Sequence, residues 1–74
     1  MSTITTDTYI KNQGSVIAIS GVAKGAVINV YDTIGKQVAT AVAANGNASI
    51  DTKLPKGSIV IVKIGEHTAK IVLQ

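Results

Sequence analysis

Residues 58–73 read SIVIVKIGEHTAKIVL, two runs of alternating side chains on either side of a Gly-Glu turn at residues 65–66. Alternation with a period of two residues is the pattern of a β-strand that has one buried face. We expect Lys63 and Lys70 to face water, which fixes the opposite face of each strand. The inward side chains are then Val60, Val62, Ile64, Ala69, Ile71 and Leu73. The segment therefore predicts a β-hairpin with one aliphatic face.

Short segments of the same kind recur along the whole chain, separated by turns that contain Gly, Asn, Asp or Pro. Residues 32–36 and the pair Asn45-Gly46 are typical of hairpin turns. Helix competes with strand over residues 38–44, which are rich in Ala, but the period of two favours a strand. The predicted strands are 8–11, 15–20, 26–32, 37–43, 48–51, 58–64 and 67–73. Two such sheets, each with one aliphatic face, predict an all-β sandwich around a core about 10 Å thick.

The composition agrees with a small β-domain. The chain has 74 residues, no Cys, and 28 β-branched residues, namely 11 Ile, 9 Val and 8 Thr. β-Branched side chains favour strands because their χ1 angles are restricted and they pack well on a pleated surface. With neither disulfides nor a zinc site to stabilise it, the domain depends on aliphatic packing.

The charged and aromatic residues argue against several classes of function. The net charge of +3 comes from seven scattered Lys and no Arg, and the only aromatic residues are Tyr9 and Tyr31. Nucleic-acid binding is not expected, because the chain has no Arg to bind phosphates and bases through paired hydrogen bonds and too few aromatic side chains on which bases could stack. No apolar run approaches the roughly 20 residues of a membrane-spanning helix.

No catalytic arrangement is visible, so we expect no enzyme, no cofactor and no metal. His67 follows Glu66 in a predicted turn, where a solvated side chain is the ordinary outcome. Gly21 to Gly25 precedes a strand rather than a helix, unlike a phosphate-binding loop. Lys36 lies at a hairpin tip, as in a biotin or lipoyl carrier, but its Gly-Lys-Gln context does not support that alternative.

Three segments taken in order resemble a known family. Residues 25–38 read GAVINVYDTIGKQV, residues 54–65 read LPKGSIVIVKIG, and residues 70–74 read KIVLQ. They are similar to the V-x-V-Y-D-x-x-G-K/R-x-V, L-P-x-G-x-Y-x-V-K-x-G and closing Lys-containing motifs of the type A C-terminal sorting domain of the Bacteroidetes type IX secretion system. The chain differs in having Val60 at the family's aromatic position and one extra residue after Gly57.

The resemblance implies an immunoglobulin-like sandwich of about seven antiparallel strands that follows a cargo domain. Residues 8–74 would form the sorting domain and residues 1–7 would be the remainder of a linker. The implied partners are the outer-membrane components of the type IX translocon and a sortase-like peptidase that usually removes the domain. The implied location is the periplasm in transit, and then the cell surface or the medium. The alternative is a generic immunoglobulin-like or fibronectin-like adhesion or spacer module at the cell surface.

An address of this kind must be carried by groups that do not also hold the core. The candidate recognition residues are Lys56, Gly57, Lys63, Lys70, Leu73 and Gln74. Lysines supply long-range attraction, and a free strand end offers backbone groups and a carboxylate. Weak homodimerisation is also expected, through residues 58–64, where Ile59 and Ile61 fall on the outer face without a cover.

Overall fold

The computed structural model describes residues 4–74, with side chains for residues 8–74. It contains seven strands and, within residues 4–74, no helix. The strands are β1 (Ile4–Gln13), β2 (Val16–Val22), β3 (Ala26–Tyr31), β4 (Gln37–Ala43), β5 (Ala48–Asp51), β6 (Ile59–Ile64) and β7 (His67–Val72). The all-β prediction is confirmed, and so is the choice of strand over helix for residues 38–43.

The strands form two antiparallel sheets that pack face to face. One sheet has the strand order β1-β2-β5, and the other has the order β4-β3-β6-β7. This is a small β-sandwich in which the fourth strand lies beside the third. All pairs that neighbour in either sheet are antiparallel.

A single aliphatic core lies between the sheets and follows the alternation of the strands. The inward positions predicted for β6 are confirmed, since Val60 and Val62 are 0% exposed and Ile64 is 1% exposed. Ile71 of β7 is only partly buried and packs against this core. The buried hydrophobic residues are Ile17, Ile19, Val22, Ala26, Ile28, Val30, Ala43, Ile50, Val60, Val62, Ile64 and Leu73. Both sheets contribute, which explains why neither face can be shifted by one residue without exposing apolar surface.

The connection between β4 and β5 differs from the prediction. Asn45-Gly46 was expected to form a hairpin, but β4 and β5 belong to different sheets, and the turn crosses the sandwich. The turn itself is tight, with the Gly46 N–H donating to the Ala43 C=O at 3.2 Å. The Gly46 C=O then accepts from the Val22 N–H at 3.2 Å, which ties the connection to the end of β2. An Asn-Gly turn fixes local geometry only, and the pairing of β5 with β2 decides the sheet.

The N-terminal strand is longer than predicted. β1 begins at Ile4, so the expected domain boundary at Thr8 falls inside a strand. Residues 4–7 of the predicted linker belong to β1, and residues 1–3 lie outside the described residues. The pairing of β1 with β2 shifts register between Ile4 and Tyr9, and this irregularity interrupts the alternation that would have marked the strand.

Candidate recognition surface

The six candidate residues fall into two groups, according to where the strands place them. Lys56 and Gly57 lie in the connection that precedes β6, and Leu73 and Gln74 follow β7. These four residues form an end group at one end of the sandwich. Lys63 of β6 and Lys70 of β7 form a face group on the outer surface of the four-stranded sheet.

The end group is held together by backbone hydrogen bonds. The Gly57 N–H donates to the Leu73 C=O at 2.6 Å, and the Leu73 N–H donates to the Ser58 C=O at 2.8 Å. Gly57 has a φ of +93°, a conformation that L-residues with a side chain rarely adopt. The turn at residues 56–57 and the C-terminal segment therefore form one structural unit, although they are 16 residues or more apart in sequence.

Leu73 and Gln74 were expected to form a free strand end with accessible backbone groups, and the structure differs from this expectation. The Leu73 side chain is 1% exposed and belongs to the core. The Gln74 N–H donates to Asn12 Oδ1 at 2.6 Å, and the Gln74 C=O accepts from the Gly14 N–H. The expectation of free backbone groups at this strand end is therefore wrong, since both residues are fixed to their neighbours. The accessible part of the end group is Lys56, Gly57 and the side chain of Gln74.

The face group has the orientation that the alternation predicted. Lys70 pairs with Ile61 and Lys63 pairs with Thr68, so the two lysines are diagonal neighbours on adjacent strands. Both lysines are exposed. No acidic residue occurs in β6 or β7, which leaves this part of the sheet positively charged.

Apolar side chains join the two groups into one surface. Ile59 and Val72 are a cross-strand pair between the end group and Lys70, and they are 38% and 47% exposed. Ile59 was predicted to face outward but Val72 was not, although an outward Lys70 implies an outward Val72 two residues later. We call this surface the β6–β7 face, and it consists of Lys56, Ile59, Ile61, Lys63, Lys70 and Val72. Its combination of cations and exposed aliphatic groups suits a partner that carries carboxylates beside apolar side chains.

A polar cluster fixes the segment that leads to Lys56. The Ser15 hydroxyl donates to Asp51 Oδ1 at 2.8 Å, and the Lys53 N–H donates to the same oxygen at 2.9 Å. These two hydrogen bonds lower the pKa of Asp51 below its ordinary value of 3.8, and the bond from Ser15 has the larger effect. The Thr52 hydroxyl donates to the Ser15 C=O at 2.8 Å. The β1–β2 turn is thus attached to the end of β5, at the start of the long connection to β6.

A shallow groove lies on the outer face of the other sheet and was not predicted. It has a volume of about 460 Å³ and a floor of small side chains, Ala18 and Ser20 of β2. Tyr9 and Lys11 on β1 and Ser49 on β5 rise beside the floor, since Tyr9 pairs with Ser20 and Ala18 pairs with both Lys11 and Ser49. Among the described residues that line the groove, only Lys11 is charged. The signal in the sequence is the alternation of small residues with isoleucines along β2.

Other kinds of site were sought among the described residues. Within the part of the chain that the structure describes, no cluster of three or more His, Cys, Asp or Glu side chains could hold a metal ion. His67, the first residue of β7, is exposed. The described residues include no helix that is long and apolar enough to cross a membrane.

The three segments that resemble the sorting-domain motifs meet in one sheet. Residues 25–38 cover β3 and the turn into β4, residues 54–65 include β6, and residues 70–74 contain the end of β7. Comparison with known proteins finds no family model, no curated protein and no solved structure that matches this chain. A functional assignment therefore depends on these motifs and on the surface they create.

Proposed function

We propose that this chain is a C-terminal sorting domain, a folded address that the outer-membrane translocon of the type IX system recognises on an attached cargo. The observation that carries the proposal is the hydrogen bonding of the motif segments to one another. The Gly57 N–H of the second segment donates to the Leu73 C=O of the third. The first segment supplies β3, which pairs with β6 of the second. Motifs that are separated in sequence thus pair with one another in one sheet.

The β6–β7 face has the properties that a folded address needs. Lys56, Lys63 and Lys70 are exposed and none of them belongs to the core, so a receptor can bind them without unfolding the domain. Scattered cations raise the rate of encounter with a negatively charged receptor, and exposed aliphatic groups slow dissociation. In this proposal the cargo crosses the periplasm and reaches the cell surface or the medium after a sortase-like peptidase acts. Because β1 begins at Ile4, we expect the cut to lie before that residue.

The test is an export assay in a bacterium that has the type IX system. A signal peptide and a folded reporter enzyme are fused ahead of this chain, and reporter activity is measured in the periplasm and outside the cell. We expect export of the fusion, and retention of folded, active reporter in the periplasm when Lys63→Ala and Lys70→Ala are combined. The matched control combines Lys11→Ala and Lys24→Ala, which removes the same charge from exposed positions outside the β6–β7 face. Export of the Lys63/Lys70 variant at the wild-type level would overturn the proposed surface.

One observation favours a spacer or adhesion module as the second candidate. Ile4, at the start of β1, pairs with Val22, whereas Gln74 is bonded to Asn12 and Gly14 at the other end of the same hairpin. The chain therefore enters at one end of the sandwich and leaves at the opposite end, which is the geometry of domains arranged in a row. A spacer does not redirect its cargo, so periplasmic retention of the wild-type fusion would favour this second function over the first.

A further inference from the structure

The two sides of the sandwich differ in how their edge strands are protected. β4 is an edge of the four-stranded sheet and β5 is an edge of the three-stranded sheet, and the two strands lie against each other on one side. β4 and β5 contain no Lys and no Pro, and their one charged residue is Asp51, the last residue of β5. Natural sheets usually protect an exposed edge with Lys, Pro or a bulge, because unpaired backbone groups there can pair with another chain.

The opposite side has such protection. There the edge strands are β1 and β7, which carry Lys11 and Lys70. The segment after β7 is also bonded to the β1–β2 turn, through the N–H of Gln74 to Asn12 and the N–H of Gly14 to Gln74. The absence of lysines is therefore a property of one side of the molecule and not of its edges in general.

The backbone of β4 is oriented for strand addition. The Ile28 C=O points towards β4, where it accepts from the Thr40 hydroxyl, and the Val27 C=O points towards β6, where it accepts from the Gly65 N–H. Val27 and Val42 are therefore a non-hydrogen-bonded pair of the β3–β4 ladder. By the alternation of that ladder, the N–H groups of Thr40 and Val42 point away from β3. The one irregularity of the ladder lies between Val30 and Tyr31, so residues 39–43 stay in regular register.

We propose that β4 is a homodimerisation edge, at which two copies of the chain pair antiparallel about a two-fold axis and join their four-stranded sheets. A two-fold contact brings the same strand from each copy together. Each copy has a net charge of +3, so contact is least unfavourable where neither copy presents a lysine, and β4 meets that condition. Its inward residues, Ala39, Ala41 and Ala43, are small enough to allow close approach. This inference is independent of the proposed export function.

Self-association through β4 differs from the self-association expected from the sequence, which involved residues 58–64. Residues 58–64 were expected to mediate it by strand pairing or through an exposed aliphatic face. β6 lies between β3 and β7 and pairs with both, so it is not an edge strand. The prediction that residues 58–64 pair with a strand of a second copy is therefore wrong. β4 has the edge that β6 lacks. Five regular residues span only about 17 Å. A strand contact of this length buries less surface area than the roughly 1,200–2,000 Å² of stable interfaces. We therefore expect the fraction of dimer to depend on the protein concentration.

Sedimentation equilibrium over about 10 μM to about 1 mM tests the proposal with one variant and one matched control. Val42→Lys places a charge on the β4 edge, and Val72→Lys places the same charge on β7, at the opposite edge of the same sheet. Val42 is 59% exposed and Val72 is 47% exposed, so neither change fills the core. We expect wild-type dimers, and a dissociation constant about tenfold higher or more for Val42→Lys because it brings like charges close together across the contact. We expect little change for Val72→Lys.

Amide hydrogen exchange of the wild-type protein gives a second measurement that requires no substitution. Dimerisation through β4 would slow exchange at Thr40 and Val42 as the concentration rises, and would leave Ala69 and Ile71 of β7 unchanged. A monomer at every concentration would overturn the proposal. So would dimers that Val72→Lys weakens as much as Val42→Lys, or protection that appears in β7 and not in β4, as a contact through the β6–β7 face would give.

Discussion

The two sheets of the sandwich are specified in different ways. In the four-stranded sheet, β3–β4 and β6–β7 are hairpins of consecutive strands, and β3 and β6 pair in its centre with Val30 opposite Val62. In the three-stranded sheet, β5 arrives from the other side of the sandwich. It has only four residues, and Ile50 is its one buried hydrophobic side chain. Short strands of this kind have little apolar surface with which to determine their own position.

The ends of β5 compensate for its small apolar contribution. Before the strand, the Gly46 C=O accepts from the Val22 N–H. After it, Asp51 accepts from Ser15 and Thr52 donates to the Ser15 C=O. Side-chain alternation therefore specifies one sheet, whereas the position of the other sheet's last strand depends on a few contacts at its ends. Changes at those ends and changes in the core therefore test different parts of the fold.

The largest expected effect is that of Gly46→Ala. A Cβ at this position would lie 2.8 Å from the backbone oxygen of Val22, and Gly46 has a φ of +82°. The clash involves backbone, so relief requires moving the connection and weakening its bond to β2. We expect a loss of about 3 kcal/mol in the free energy of unfolding, measured by urea denaturation.

Gly25→Ala is the matched control for that substitution. Gly25 has nearly the same backbone conformation, with a φ of +81°, but an added Cβ would meet nothing within 4 Å. It should cost only about 1 kcal/mol, from the left-handed conformation alone. Equal losses for the two variants would show that the contact between Gly46 and Val22 does not hold β5 in place.

Two core truncations should have effects of intermediate size. They test how the four-stranded sheet is stabilised. Val62 is 0% exposed at the centre of the four-stranded sheet, whereas Ile71 on edge strand β7 is only partly buried. We expect Val62→Ala to cost about 2–3 kcal/mol and Ile71→Ala about 1–2 kcal/mol, although isoleucine loses more atoms. The check is thermal and urea unfolding of both variants. A larger loss for Ile71→Ala would mean that the edge strand, and not the centre, contributes most to this sheet.

The same division explains what the sequence could predict. The faces of β6 and β7 follow from a period of two, which is a local property, so the orientations of Lys63 and Lys70 were predictable. The sheet to which β5 belongs was not predictable, because Asn45-Gly46 is compatible both with a hairpin and with a turn that crosses the sandwich. At the candidate surface, the bonds of Gln74 to Asn12 and Gly14 join residues 60 or more positions apart. No local pattern records such contacts.

The smallest expected effect concerns acid pH and the far end of β5. The Ser15 hydroxyl and the Lys53 N–H lower the pKa of Asp51 in the folded state, so the unfolded chain binds a proton at this residue more readily. The stabilisation is therefore present at neutral pH and is lost as the pH falls below 3.8 and through the folded pKa. Ser15→Ala removes the larger of the two causes, and should reduce the stability at pH 7 and make its fall between neutral and acid pH shallower. Parallel urea midpoints of the wild type and Ser15→Ala at each pH measure both changes. An acid dependence that is identical in the two proteins would mean that other carboxylates produce it, and that the polar cluster holds β5 by its neutral hydrogen bonds alone.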